Sequence, residues 1–132
     1  AGVNTPHFLL NFIDYLYWLK KDGYGIKDFD FRYWNSVEHH LARNYAKDKG
    51  IGDETVDCLG NLFLISKSAN SRLSDRSVSE KIERFKDRNM GANRQIIYTT
   101  TINKGKWDED EIIEHYNELE SLLRNYRNTL GL

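Results

Sequence analysis

The sequence predicts an α+β fold that is mostly helical, built around one small strand–loop–strand–helix unit. Three observations lead there. Apolar residues recur at helical spacing over long stretches near both ends of the chain. Phe29, Phe31 and Tyr33 alternate with Asp30 and Arg32, the period of a strand. Leu62-Phe63-Leu64-Ile65, just after Gly60, is too short for a helix and suits a buried second strand.

Taken in order, Thr5-Pro6 is a good opening for a helix, because threonine caps and proline fits the first helical position. Phe8, Leu9, Phe12, Ile13, Leu16 and Leu19 then give it an apolar stripe, which Tyr15, Tyr17 and Trp18 widen. Asp22-Gly23-Tyr24-Gly25 ends it. The alternating segment from Phe29 extends toward Val37. Residues 41–57 are polar, contain Gly50 and Gly52, and read as a loop with one helical turn at most. The run from Ser66 to Ser74 is polar and turn-rich. Ser77 and Glu80 have capping-box spacing, which predicts a helix from there to about Arg88. Ile96, Ile97 and Thr99-Thr100-Thr101 favour strand over 91–101. Asp108 and Glu111 form a second capping box. Behind it Ile112, Tyr116, Leu119, Leu122, Leu123 and Tyr126 give a long amphipathic helix.

The 132 residues suit a single domain, 1–132. Hydrophobic residues make up 39% and aromatics 13%, enough for a packed core. The lone Cys58 excludes an internal disulfide and a multi-thiolate zinc site. No apolar run reaches the roughly 20 residues needed to span a bilayer. No secretory pattern is present, so a cytoplasmic setting is expected. The chain opens Ala1-Gly2-Val3-Asn4 and its one methionine is Met90, from which we expect a piece of a longer protein. The net charge is −1, but it is unevenly placed. Residues 1–60 carry 7 basic and 9 acidic side chains, residues 61–106 carry 10 and 4, and residues 107–132 carry 2 and 7. A basic middle between acidic flanks allows a phosphate-binding face on a nearly neutral protein; scattered surface charge gives the same tally.

Of the four histidines, His7 and His115 fall in or beside helices and read as surface or packing residues. His39 differs. It follows Glu38 at the end of a predicted strand and precedes a polar loop, a common place for reactive groups. Downstream come Asn61 at the entry to the second strand and Asn70 in a polar turn. Hydrolysis of a phosphodiester needs a base for water and positive charge at the phosphate. A histidine supplies the first, and a carboxylate with an amide oxygen suits Mg²⁺ for the second. Adjacent residues on a regular strand point to opposite faces, so Glu38 and His39 share a site only where the strand ends or bulges.

The run Phe31 to His39, then Leu59-Gly60-Asn61-Leu62-Phe63-Leu64-Ile65-Ser66, then Ala69-Asn70-Ser71-Arg72-Leu73-Ser74, then Glu80-Lys81, resembles the HNH (His-Me finger) nuclease domain that ends GmrSD-type modification-dependent restriction proteins. Leu10 to Trp18 and Trp107 to Leu123 agree with the helices flanking that motif, so the resemblance covers most of residues 8–125. It implies a ββα-metal unit and a Mg²⁺- or Mn²⁺-dependent endonuclease acting on DNA in prokaryotic restriction or phage defence. It further implies that His39 deprotonates the attacking water, that Glu38 and Asn70 bind the metal, and that Asn61 braces the loop and orients His39. Lys81 would lie near the phosphate. Lys67, Arg72 and Arg76 are candidate phosphate contacts from charge and proximity to Asn70 alone. Related proteins carry an N-terminal nucleotide-hydrolysing domain, and no Gly-x-x-x-x-Gly-Lys loop occurs in this chain. The family usually follows its motif histidine with an apolar pair and Pro-Gln, whereas His40-Leu41-Ala42-Arg43 stands here. That makes His40 a rival base. Two other readings are a catalytically inactive nuclease-fold module that binds DNA or protein, and an RNA-cutting toxin domain.

Overall fold

A computed structural model of the chain describes residues 7–24, 26, 36–83 and 90–131. The order is α1 (His7–Leu19), α2 (Lys21–Tyr24), β1 (Ser36–His39), α3 (Arg43–Asp48), α4 (Asp53–Val56), a 3-10 turn (Leu59–Asn61), β2 (Leu62–Ile65), α5 (Lys67–Leu73), α6 (Val78–Glu83), α7 (Ala92–Lys104) and α8 (Glu109–Thr129). This is the mostly helical α+β arrangement expected. None of the described helices is long and apolar enough to cross a membrane. The Thr5-Pro6 start, the alternation at 29–35 and the stretch 84–88 lie outside the described residues.

The two strands pair antiparallel, with Glu38 opposite Phe63 and His39 opposite Leu62. All four residues of β2 are buried, and they face two different cores. Leu62 and Leu64 pack with Leu10, Ile13 and Tyr17 of α1, Ile96 of α7, and Leu119 and Leu122 of α8. Phe63 and Ile65 pack with Leu41, Ala46, Val56, Leu73, Ile97, Tyr98 and Trp107. The hairpin is therefore a partition with a core on each side.

Three expectations need correction. Residues 41–57 hold two short helices, α3 and α4, pinned by the buried Ala46 and Val56. Residues 67–73 form α5: Ser66 caps it by accepting from the Ala69 amide at 3.1 Å, and Ala69 and Leu73, one turn apart, face the core. Residues 92–104 form helix α7, not strand. Burial of Ile96, Ile97, Tyr98 and Thr101 outweighs the intrinsic preference of the β-branched run.

Helix α7 begins against α1. The Asn93 amide donates to the Asp14 carboxylate at 2.9 Å, so α1 supplies the cap for the next long helix. A Cβ on Gly91 would lie 2.8 Å from that carboxylate, so a larger residue there would require the Asp14 side chain to shift. Burial raises the Asp14 carboxyl to about 7. The Asn93 side chain donates to Leu62 O at 3.0 Å and meets His115 Nε2 at 2.7 Å, giving His115 a packing role. Both capping boxes form, at Ser77 with Glu80 and at Asp108 with Glu111.

Candidate functional site

The end of β1 organises the region. By the pleat, Glu38 and His39 leave opposite faces of the hairpin, and regular pairing stops at His39. Glu38 is 4% exposed. Its Oε1 is 3.4 Å from Lys81 Nζ, and its Oε2 is enclosed with no hydrogen-bond partner among the described residues. Lys81, on α6, is wholly buried. Its ammonium also donates to His39 O and, at 3.2 Å, to His40 O. An ammonium has three donors, and all three are taken. Lys81 thus straps α6 to the strand end. The direct phosphate contact expected of it does not fit this arrangement, because its head faces protein. Burial pushes the Glu38 carboxyl up and the Lys81 ammonium down, outweighing their mutual attraction in both.

His39 is partly exposed. Its Nε2 lies 2.9 Å from Asp57 Oδ1. Arg43 bonds the same oxygen and also reaches Asp53 at 3.3 Å. The Arg43 guanidinium is the largest influence holding the Asp57 carboxyl below its usual range. Nδ1 of His39 takes no hydrogen bond among the described residues.

His40 is placed quite differently. It is fully buried among Phe63, Tyr98 and Trp107. Thr101 donates its hydroxyl to Ile97 O at 2.7 Å, so at 3.0 Å it accepts from His40 Nε2. Burial, followed by the nearby charges of Lys81 and Arg94, pulls the His40 imidazole well below the ordinary value. A neutral ring without solvent access cannot exchange a proton with an attacking water, so the rival base is a core residue.

Asn61 is fully buried and uses the whole bonding capacity of its amide. Oδ1 accepts from Leu41 N at 2.9 Å and Trp107 Nε1 at 3.0 Å. Nδ2 donates to Leu41 O at 3.1 Å and Val56 O at 2.9 Å. Its own carbonyl accepts from His40 N at 2.8 Å. One side chain thereby joins the segment following His39 to the residue preceding Asp57. The neighbouring Gly60 is dictated by contact: a Cβ there would be 2.3 Å from Ile112 O and 2.7 Å from Tyr116 N of α8.

Asn70 lies on α5, which packs against β1. It is partly exposed, and its side-chain amide is unpartnered among the described residues. Lys67 and Arg72 are exposed on the same helix. Arg76 is tied to Glu80 at 3.1 Å and to Arg72 O. Among the described residues no group of three or more His, Cys, Asp or Glu side chains is placed to hold a metal. What the region offers is one carboxylate oxygen without a partner and one free amide. Both offer an oxygen of the kind a hard cation takes, but the Glu38 oxygen is enclosed and lies on the face of the strand opposite His39.

Sequence reasoning gave no part in the site to Asp57, Thr101 or Trp107, and noted Arg43 only as a departure after His39. Asp57 is 18 residues from its histidine, and nothing in its local sequence marks it. Arg43 ties the His40-Leu41-Ala42-Arg43 segment to Asp57.

A family model described as GmrSD restriction endonucleases, C-terminal domain, matches residues 7–122. No curated protein and no solved structure matches the chain.

Proposed function

We propose a function from one premise: the chain belongs to the family of GmrSD restriction endonuclease C-terminal domains. It hydrolyses DNA phosphodiester bonds as a metal-dependent endonuclease of the HNH type, and His39 is its base. The observation that carries this is the state of the strand end. A partly exposed histidine closes β1, tied through one ring nitrogen to Asp57 and with the other making no hydrogen bond among the described residues.

The water's proton passes to His39 Nδ1 as its oxygen bonds to phosphorus. The bond from phosphorus to the leaving sugar oxygen breaks, and that oxygen takes a proton from solvent. Glu38 and Asn70 would hold Mg²⁺ or Mn²⁺, which when bound supplies positive charge at the scissile phosphate. Lys67 and Arg72 bind neighbouring phosphates, joined by Arg76 if it leaves Glu80. Lys81 adds its charge from behind the strand end without touching substrate. Asn61 keeps the two segments around His39 in register. We place the activity in the prokaryotic cytoplasm, as part of a restriction or phage-defence protein whose nucleotide-hydrolysing domain governs cutting.

The test is nicking of supercoiled DNA by the chain with Mg²⁺ or Mn²⁺, with an RNA of matched sequence run in parallel. Wild type should nick DNA, and His39→Ala should not. Equal nicking by both proteins would remove His39 as the base. No cutting, together with no effect of either metal on thermal stability, would replace the enzyme with a binding module.

A further inference from the structure

Asp57 lies outside every motif that marks the site, yet it holds the proposed base. We infer that Asp57 is a positioning residue: its carboxylate fixes His39 with hydrogen on Nε2, leaving the lone pair on Nδ1 to receive the proton of the attacking water. The inference rests on the nuclease reading above.

Three observations support it. The first is the contact. Asp57 Oδ1 is 2.9 Å from His39 Nε2, and an ionised carboxylate only accepts. Nε2 must therefore carry the hydrogen, and a neutral imidazole then has its lone pair on Nδ1. That nitrogen makes no hydrogen bond among the described residues, on a side chain that is 13% exposed. The second is that the carboxylate is kept ionised and still. Arg43 of α3 bonds the same oxygen and also Asp53 of α4, so both helices converge on it. The Asp57 amide donates to Asp53 O at 2.9 Å, and the preceding Val56 carbonyl accepts from Asn61. The third is exposure. The Asp57 side chain is 30% exposed and that of Arg43 is 48% exposed. Exposed pairs contribute little to stability, so holding the fold together does not account for the arrangement. Orienting a base does, since the tautomer decides which nitrogen faces the water.

The experiment uses the full chain, labelled with ¹⁵N, as wild type, Asp57→Ala and Asp57→Asn. Imidazole nitrogen shifts are read at about pH 8, where an ordinary histidine is neutral. Nicking kinetics are measured on the same samples. In wild type, His39 should be the Nε2–H tautomer. In both variants the tautomers should mix or invert. The kcat should fall on the order of 10²-fold, within the range that a general base contributes, while KM and the urea midpoint stay near wild type. Asp57→Asn keeps the size and shape of the side chain, so it carries the test even where Asp57→Ala folds poorly. Either variant retaining wild-type kcat and the Nε2–H tautomer would overturn the inference. A wild type that cuts no nucleic acid, but whose His39 changes tautomer in the variants, would sink the nuclease reading and leave the orientation of His39 by Asp57 standing.

Discussion

Replacing Gly60 by alanine adds one methyl group where none fits. That methyl would sit 2.3 Å from the Ile112 carbonyl oxygen and 2.7 Å from the Tyr116 nitrogen. Both are backbone atoms of α8, so no side chain can swing away. Ordinary contact of a Cβ begins near 3.4 Å, and the helix must retreat by about 1 Å to accept it. It is held by Ile112 in one core and by Leu119 and Leu122 in the other. Overpacking of this kind costs about 1–3 kcal/mol, and a clash on two backbone atoms belongs at the upper end. For a chain of this size about 3 kcal/mol lowers Tm by roughly 10 °C. Urea unfolding followed by far-ultraviolet circular dichroism reads the change directly, with the slope unaltered. Gly52→Ala is the control, because its Cβ would meet nothing within 4 Å. A Gly60→Ala midpoint within about 0.5 kcal/mol of wild type would refute the close-approach argument, since surface changes alone reach that size.

Asn61→Ala strips partners from Leu41 N, Leu41 O, Val56 O and Trp107 Nε1. At roughly 1–3 kcal/mol for each buried group left unpaired, with partial relaxation, a loss of about 3–5 kcal/mol is expected in urea titrations. Lys81→Met leaves Glu38 buried without its cation and should cost about 2–4 kcal/mol by thermal denaturation; adding Glu38→Gln should restore part of it, since the neutral amide tolerates burial better. The Asp14 carboxyl is raised from 3.8 to about 7, so between those values the folded state binds more protons than the unfolded. Its contribution to stability is fully present below about pH 4 and is lost as pH rises through about 7, a change of roughly 4 kcal/mol at most. Asp14→Asn should flatten the dependence of the urea midpoint on pH across that window, and an unchanged slope would remove Asp14 as its source.

The long helices were legible because their signals are local and redundant. Helix α8 has a capping box at Asp108 and apolar residues at regular turns behind it, and α1 repeats the stripe. The second strand was found from the run after Gly60; the first was read from the alternation at Phe29, Phe31 and Tyr33, which lies outside the described residues, and was carried only toward Val37, whereas β1 spans Ser36–His39. Helix α7 was missed because Thr99, Thr100 and Thr101 favour strand on their own. What overrides them is burial of Ile96, Ile97, Tyr98 and Thr101. Helix α5 had only Ser66, Ala69 and Leu73 to announce it, too few positions for a period to show. For the site itself, the sequence offered His39, Glu38, Asn61 and Asn70 as a set. It had no means of offering Asp57, because a contact across 18 residues leaves no periodic trace. Nor could it separate His40 from His39. Adjacent residues with the same chemistry are told apart here only by which side of the chain is enclosed.

A two-sided strand changes what failure looks like. Residues of β2 belong to both cores, so neither core can open without disturbing the wall they share, and β1 with His39 is hydrogen-bonded along that wall. Amides of residues 62–65 should then exchange with deuterium only through global unfolding, while α3 and α4 exchange through smaller, earlier openings. Damage far from the site, in α1 or α8, will reach the hairpin as a loss of the whole molecule. Damage in α3 or α4 will loosen the carboxylate beside His39 while the hairpin stays closed.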